Sequence, residues 1–332
     1  MKRVYIIIVN WNGGLDTIEC LESIFSLTYP YFVVVVCDNG STDGSIAVVR
    51  EWTESRDLSH KEFSAAEAIS ESMQDVDFSL VIIRNPTNLG FAGGNNVGMR
   101  YALARGDCAY VWLLNNDTVV EPDALTCLVK RMEQKPSAGM CGSTIRLYHE
   151  PEKIQALGGG YYCRWLGLPW HYGRFSCQEK KIDPKQAEKR MNYVEGASML
   201  VSRQFLEQVG LMCEDYFLYF EEVDWALRAK GRFLLTYAPN SIVYHKIGAS
   251  IGTSSSPVAK SYTCDYFNIR NRIFFTRRFF PIALPIIYLV LVGSILLRLL
   301  LGKWDRATMI LKLLFGYTER QYETVLGCRT LL

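Results

Sequence analysis

Acidic residues stand at the ends of apolar runs throughout this chain, a placement suited to holding a cation or taking a proton. Asp38 directly follows "FVVVVC", Asp117 follows "YVWLLNN", and His245 closes "SIVYH". Glu221, Glu222 and Asp224 fall together in "LYFEEVDWALR". A carboxylate at position 38 can accept from a pyrimidine N–H or a ribose hydroxyl, or serve only as a turn residue. Asp117 offers the oxygen that a hard cation on substrate phosphates requires, or is a helix-start aspartate. Three acids beside aromatics raise one another's pKa toward that of a general base, or simply stabilise a helix N-terminus. A lone histidine such as His245 is more often a hydrogen-bonded core residue than a ligand, and only its company argues otherwise.

The segments between these groups alternate in texture. Runs 4–10 and 31–37 are β-branched and continuously apolar, as parallel strands covered on both faces are. Between them Leu15, Ile18 and Leu21 lie close to one helical stripe. A helix over about 44–55, a strand over 78–85, a glycine-rich turn with a helix, and a strand over 109–115 follow. This order predicts a doubly wound α/β sheet whose ligands sit beyond the carboxyl ends of the strands. "NLGFAGGNNVG" can turn backbone N–H groups toward an anion. It has neither the Gly-Lys-Ser/Thr of a phosphate loop nor the placement of a dinucleotide fingerprint. Residues 56–77 read as a polar surface excursion. Residues 158–193 read as a long irregular loop whose Trp165, Trp170, His171 and Tyr172 either receive a sugar or lipid head or pack the loop down.

The tail changes composition. Arg270, Arg272, Arg277 and Arg278 interleave with aromatics, and residues 282–301 then carry one charge, Arg298, in twenty residues. That length spans a bilayer as a helix, with Arg298 near enough to its end to snorkel. Arginines and aromatics just before it suit a cytoplasmic headgroup layer. Because the sequence beyond is also basic, a re-entrant hairpin or an interfacial helix is an alternative to spanning. The net charge of +2 gives no reason to expect nucleic acid. The ten cysteines form no C-x-x-C pair and read as buried, reduced thiols. The start, "MKRVYIIIVNWNGG", has too short an apolar run for a signal peptide and reads as a first core strand, which keeps the catalytic part in the cytoplasm.

With these residues assembled, the chain resembles the family 2 inverting glycosyltransferases of the GT-A fold, and within them the bacterial rhamnosyltransferase-like branch. The resemblance covers roughly residues 1–275. It rests on "VNWN", "DNGSTDGS", "NLGFAGGNNVG", "LLNNDTVVEPDAL", "EGASMLVSR", "LYFEEVDWALR" and "YHKIGAS" in that order. It implies a nucleotide-diphosphate-sugar donor site lined by Val9, Asn10, Asn12, Asp38, Asn88, Gly90, Asn95 and Asn116. It implies a divalent metal, Mg²⁺ or Mn²⁺, on Asp117 with His245 as a further ligand. The family's D-x-D motif reads Asn115-Asn116-Asp117 here, so two carboxylates are missing. Glu222 stands where the family's base stands, with Asp224 as the alternative, and Glu221, Trp165 and Trp170 are placed toward the acceptor. The architecture implied is a GT-A mixed sheet over 1–255, a basic and aromatic connector over 256–280, and membrane-associated helices over 281–332. The expected activity is transfer of a sugar, rhamnose by resemblance, to a lipid-linked glycan at the cytoplasmic face of a bacterial inner membrane. Two other readings are a sugar nucleotidyltransferase, which would want an early basic glycine-rich signature, and a membrane-anchored non-catalytic relative.

Overall fold

The computed structural model describes residues 1–70, 78–174, 183–247 and 261–317. Cys177, Cys328, the expected boundary near 255 and the chain beyond 317 lie outside the described residues. Among the described residues, the eight cysteines form no disulfide with one another.

The first strands are β1 (Val4–Asn10), β2 (Phe32–Asp38), β3 (His60–Ser64), β4 (Leu80–Arg84), β5 (Tyr110–Asn115) and β6 (Thr118–Val120). They are followed by β7 (Ala138–Leu147), β8 (Ile154–Leu157), β9 (Gly159–Cys163), β10 (Leu168–His171), β11 (Tyr193–Val194), β12 (Ser198–Ser202) and β13 (Leu234–His245). Among the described residues they form one mixed sheet ordered β10-β9-β8-β7-β12-β5-β1-β2-β4-β3, with β13 against β6 and β7. The half β5-β1-β2-β4-β3 is parallel throughout. Antiparallel β12 joins it to the second half.

Period-two alternation explains why the central strands are apolar throughout. Val4, Ile6 and Ile8 of β1 point into one core, and Tyr5 and Ile7 point into the other. Helices α1 (Gly14–Ile24), α2 (Ser45–Ser55) and, after α3 (Glu67–Ser70) and α4 (Gly90–Ala104), α5 (Ala124–Gln134) meet these cores. Of these, α1, α2 and α5 cover the first face, and α4 covers the second. After α6 (Pro184–Arg190), α7 (Arg203–Val209) and α8 (Glu221–Ala229) join α4 on that second face.

Three local expectations change. Leu15 is exposed, because α1 buries Gly14, Thr17, Leu21 and Ile24, and Leu15 falls off that stripe. The excursion over 56–77 contributes β3, an edge strand parallel to β4. The described residues of 158–193 are more regular than expected: β9 and β10 form a hairpin, and β11 adds to β9. Trp165 and Trp170 stand exposed on this hairpin, so neither packs the segment down.

The tail forms α9 (Tyr262–Phe279), α10 (Leu284–Leu300) and α11 (Trp304–Leu314). The arginines at 270 and 272 do not face a headgroup layer. Both are buried, and Arg270 donates 2.5 Å to the carbonyl of Asp215. Arg298 does not snorkel either: it is buried in a two-toothed pair with Asp265 of α9, at 2.8 and 3.0 Å. Phe275 of α9 shares a core with Tyr162, Tyr216 and Phe220, so this helix is built into the body.

Candidate active site

Three groups of side chains gather at the carboxyl ends of the central strands. The first lies where β1 and β2 end side by side, with Asn10 opposite Asp38. Asp38 accepts from the Asn10 amide at 2.9 Å, from the Ser41 N–H at 3.1 Å and from the Ser41 hydroxyl at 2.5 Å. The Asn10 oxygen in turn accepts from Thr17 at 2.9 Å. Asn12, in a left-handed conformation at φ 52°, accepts from the Thr42 N–H at 2.8 Å. The Asn88 oxygen accepts from the Gly90 N–H at 2.9 Å, and Asn116 donates to Thr17 at 3.2 Å. Asn39, which the sequence reading did not single out, donates 2.8 Å to the Gly90 carbonyl and knits β2 to α4. A hollow of about 730 Å³ lined by Phe63, Ser64, Arg84 and Asn85 flanks this rim, and the Asn85 N–H donates 2.9 Å to the Asp38 carbonyl.

The glycine-rich stretch has a packing role. A Cβ at Gly94 would stand 2.8 Å from Val9 and 2.9 Å from Asn39, so α4 can press on β1 only without side chains there. Its first N–H groups are already used: Gly90 donates to Asn88, and Phe91 donates 2.7 Å to the Phe217 carbonyl. The expected anion cradle is therefore closed at that end. Asn95 also departs from expectation, since it is buried and donates 2.9 Å back to Phe91, one turn earlier in its own helix.

The second group joins residues far apart in sequence. The pairing of β13 with β6 sets His245 opposite Thr118, and His245 Nε2 lies 3.1 Å from Asp117 Oδ1. Gln155 Oε1 is 2.9 Å from Nδ1 and fixes the ring from behind. Burial alone would depress the imidazole pKa, but the charge and hydrogen bond of Asp117 outweigh it and the net shift is upward. One carboxylate oxygen and one imidazole nitrogen on a single point fit a hard cation that takes its other ligands from a substrate diphosphate and water. Among the described residues no group of three or more His, Cys, Asp or Glu converges to hold an ion unaided.

The third group opens α8. Glu221 is buried, and Glu222 keeps part of its surface open. Burial raises the Glu221 pKa to about 7. Burial and then the charges of Glu221 and Glu195 raise that of Glu222 well above the ordinary glutamate value. Oε2 of each has no hydrogen-bond partner among the described residues. Asp224, expected as the alternative base, does different work. It is fully buried, with Oδ1 2.6 Å from Arg228 and Oδ2 3.0 Å from the Tyr216 hydroxyl and 3.1 Å from Arg278. A carboxylate so engaged is not placed to meet an acceptor.

The loop that delivers Glu221 and Glu222 is strained: Phe217, Tyr219 and Phe220 have φ of 61°, 69° and 75°, each costing about 1–3 kcal/mol. Asn271 of α9 holds it, donating 2.8 Å to the Tyr216 carbonyl, 2.7 Å to Leu218 and 3.1 Å to Tyr219. Replacing Asn271 with alanine is expected to lower kcat on the order of 100-fold through misplacement of the acids. Nucleotide binding and the far-ultraviolet circular dichroism should stay as in wild type. Parallel loss of both would mark Asn271 as merely structural.

Glu195 links the second and third groups. Its charge reaches Glu221, Glu222 and His245 alike. It precedes β12, which is paired to β5, and the Asn115 N–H donates 3.1 Å to the Ala197 carbonyl. Neither Glu195 nor Gln155 stood out in the sequence. Glu195 had one available signal, the opening of "EGASMLVSR", whereas Gln155 had none.

The model of the family described as "Glycosyl transferase family 2" matches residues 5–186, more than half of the 332 residues. The chain is similar to the N-acetylglucosaminyl-diphospho-decaprenol L-rhamnosyltransferase of Mycobacterium tuberculosis. The two are 24% identical over 282 residues, covering 80% of this chain and 84% of that protein. It is also 24% identical over 226 residues to the low-salt glycan biosynthesis hexosyltransferase Agl10 of Haloferax volcanii, covering 68% of this chain and 61% of that protein. Among solved structures, the mannosyltransferase PcManGT from Pyrobaculum calidifontis, in complex with GDP-Man and Mn²⁺, superposes with TM-score 0.53 at 17% identity. That match covers 97% of this chain and 82% of the other. GalNAc-T7 with UDP, GalNAc and Mn²⁺ gives TM-score 0.57 at 15% identity over 81% of this chain and 47% of the other. The two structures agree with the mixed sheet in fold, and the family match covers more than half of the chain: the chain belongs to glycosyl transferase family 2 and is a glycosyltransferase.

Proposed function

We propose that the chain transfers a sugar, rhamnose by its likeness to the rhamnosyltransferase above, from a nucleotide-diphosphate sugar to a hydroxyl of a lipid-linked glycan. The observation that supports this reading is geometric: Asp117 and His245 stand 3.1 Å apart just beyond the end of β5, where β5 ends beside β1 and β1 ends beside Asp38 of β2. The rim of Asn10, Asn12, Asp38 and Asn88 takes the nucleoside. Asp117 and His245 hold Mg²⁺ or Mn²⁺ against the donor diphosphate. A divalent cation there neutralises the charge that develops on the leaving group.

Glu222 is the base, because its Oε2 has no partner among the described residues and the residue is not fully buried. It takes the proton of the acceptor hydroxyl as the hydroxyl oxygen bonds to the anomeric carbon on the face opposite the diphosphate. The bond from the anomeric carbon to the diphosphate oxygen breaks, and its electron pair leaves with the nucleoside diphosphate. A single displacement of this kind inverts the anomeric configuration.

The tail supports a membrane setting at the cytoplasmic face. Pro281–Leu300 is long and apolar enough to cross a bilayer, and only 22% of it is buried. Ile282, Leu289, Leu296 and Leu300 are exposed at near-helical spacing along α10, beside Trp304 and Phe315. Because α9 is fixed to the body and α10 folds back through α11, a hairpin seated in the interface fits better than a lone span. A membrane-held enzyme meets a lipid-borne acceptor at high effective concentration.

The test is release of nucleoside diphosphate and formation of an inverted glycoside from a panel of dTDP-, UDP- and GDP-sugars, with an N-acetylglucosaminyl-diphospholipid as acceptor. Turnover of one donor with inversion is expected. A retained anomeric configuration, or no turnover of any donor, would contradict the reading.

A further inference from the structure

We propose that Tyr193 and Glu195, together with the acid pair, form a pocket that grips hydroxyl groups of the acceptor sugar. The proposal rests on the acceptor-side reading just given. Tyr193 lies on β11 at the junction with β9, and Glu195 follows directly after that strand. Four buried polar atoms here have no hydrogen-bond partner among the described residues: Tyr193 Oη, Glu195 Oε2, Glu221 Oε2 and Glu222 Oε2. Leaving one such atom unpaired costs about 1–3 kcal/mol, so an accumulation of four is not what a merely structural core tolerates.

The chemistry of these atoms selects the partner. A carboxyl group accepts at both oxygens when ionised and also donates when protonated, so the ligand must bring donors and acceptors together. Tyr193 is fully buried, and burial together with the charges of Glu195 and Glu222 keeps its proton on, so it offers a donor in return. A sugar presents hydroxyls that donate and accept at neighbouring carbons, which matches both halves of this set. A phosphate dianion brings only acceptors, and any ionised member of this acidic cluster repels it.

The pocket is also built to hold its shape. His171 Nε2 stands 3.1 Å from Glu195 Oε2. Its ring meets that of Tyr193 edge-on at 6.5 Å. Gly160 is required beside it: a Cβ there would stand 2.4 Å from the Tyr193 hydroxyl.

Saturation-transfer NMR on the full chain with methyl glycosides of N-acetylglucosamine, glucose, galactose, mannose and rhamnose tests the pocket. Titration with dTDP, UDP and GDP in Mn²⁺ is run beside it. At least one glycoside is expected to bind, and Glu195→Gln and Tyr193→Phe are each expected to weaken it about tenfold or more. In Tyr193→Phe, which changes no charge, nucleotide affinity should stay within about twofold, less than ~0.5 kcal/mol. Unchanged glycoside binding in both variants, or no glycoside bound by wild type, would overturn the pocket. If no nucleotide binds while glycosides bind and the variants lose them, the pocket stands and the donor reading fails.

Discussion

Glutamine in place of Glu222 is expected to lower kcat by roughly 10²–10⁴-fold, the contribution of a positioned general base. Nucleotide diphosphate affinity should be unchanged, because Glu222 belongs to the acid group and not to the Asn10–Asp38 rim. The same residue governs two pH dependences of opposite sign. Transfer requires the ionised carboxylate, so the rate should climb with pH as the acid pair loses its proton, the Glu221 member at about 7. Stability should run the other way. A carboxyl whose pKa is raised in the folded chain favours folding below its unfolded pKa of roughly 4.3 and loses that contribution as pH rises through the folded value. For Glu221 this is on the order of 3–4 kcal/mol between about pH 4 and pH 8. Glu222→Gln should therefore melt higher than wild type at pH 8 while being nearly inactive. A variant that keeps more than about a tenth of wild-type turnover, a loss below ~1.4 kcal/mol in barrier, would remove Glu222 from the base role.

Asparagine at position 117 is the second large effect expected. The change keeps shape and hydrogen bonding to His245 but removes the charge that a cation would meet. Affinity for the nucleoside diphosphate in Mn²⁺ should fall at least about tenfold, ~1.4 kcal/mol. Affinity without divalent metal should stay put, since the rim that takes the nucleoside is intact. Glu222→Gln should leave the affinity unchanged both with and without Mn²⁺ while abolishing turnover, and calorimetry on the two variants, with and without Mn²⁺, separates the roles. Equal loss with and without Mn²⁺ would mean that Asp117 acts only as a support for the strand end.

Sequence reading reached the strand ends well, for a physical reason. Parallel strands buried on both faces must be continuously apolar, so the first polar residue after each run marks the sheet edge where ligands bind. Asn10, Asp38 and Asp117 were legible on that ground. The pairing of Asp117 with His245 was legible only through the resemblance, since 128 residues and a strand register set them together. Asp224 could not be told from Glu222 by spacing, and what separates them is Arg278, brought in from α9.

The tail shows the limit most clearly. A helix of arginines and aromatics has one composition whether it faces phosphates or backbone carbonyls. Only tertiary packing reveals that Arg270 and Asn271 bind the carbonyls of the 215–219 segment that leads into the acids. Likewise Arg298 looked like a snorkelling residue because its partner Asp265 lies 33 residues earlier. Glu195 was hidden because a glutamate before a strand has no periodicity to betray it.

Electron–nuclear spectroscopy of Mn²⁺ bound to the full chain with a nucleoside diphosphate tests the central claim most directly. The account predicts coupling of the ion to phosphorus of the diphosphate and to one imidazole nitrogen, with the nitrogen coupling absent in His245→Gln. A Mn²⁺ spectrum with diphosphate coupling but the same nitrogen coupling in that variant, or none in wild type, would place the ion away from Asp117 and His245 and contradict it.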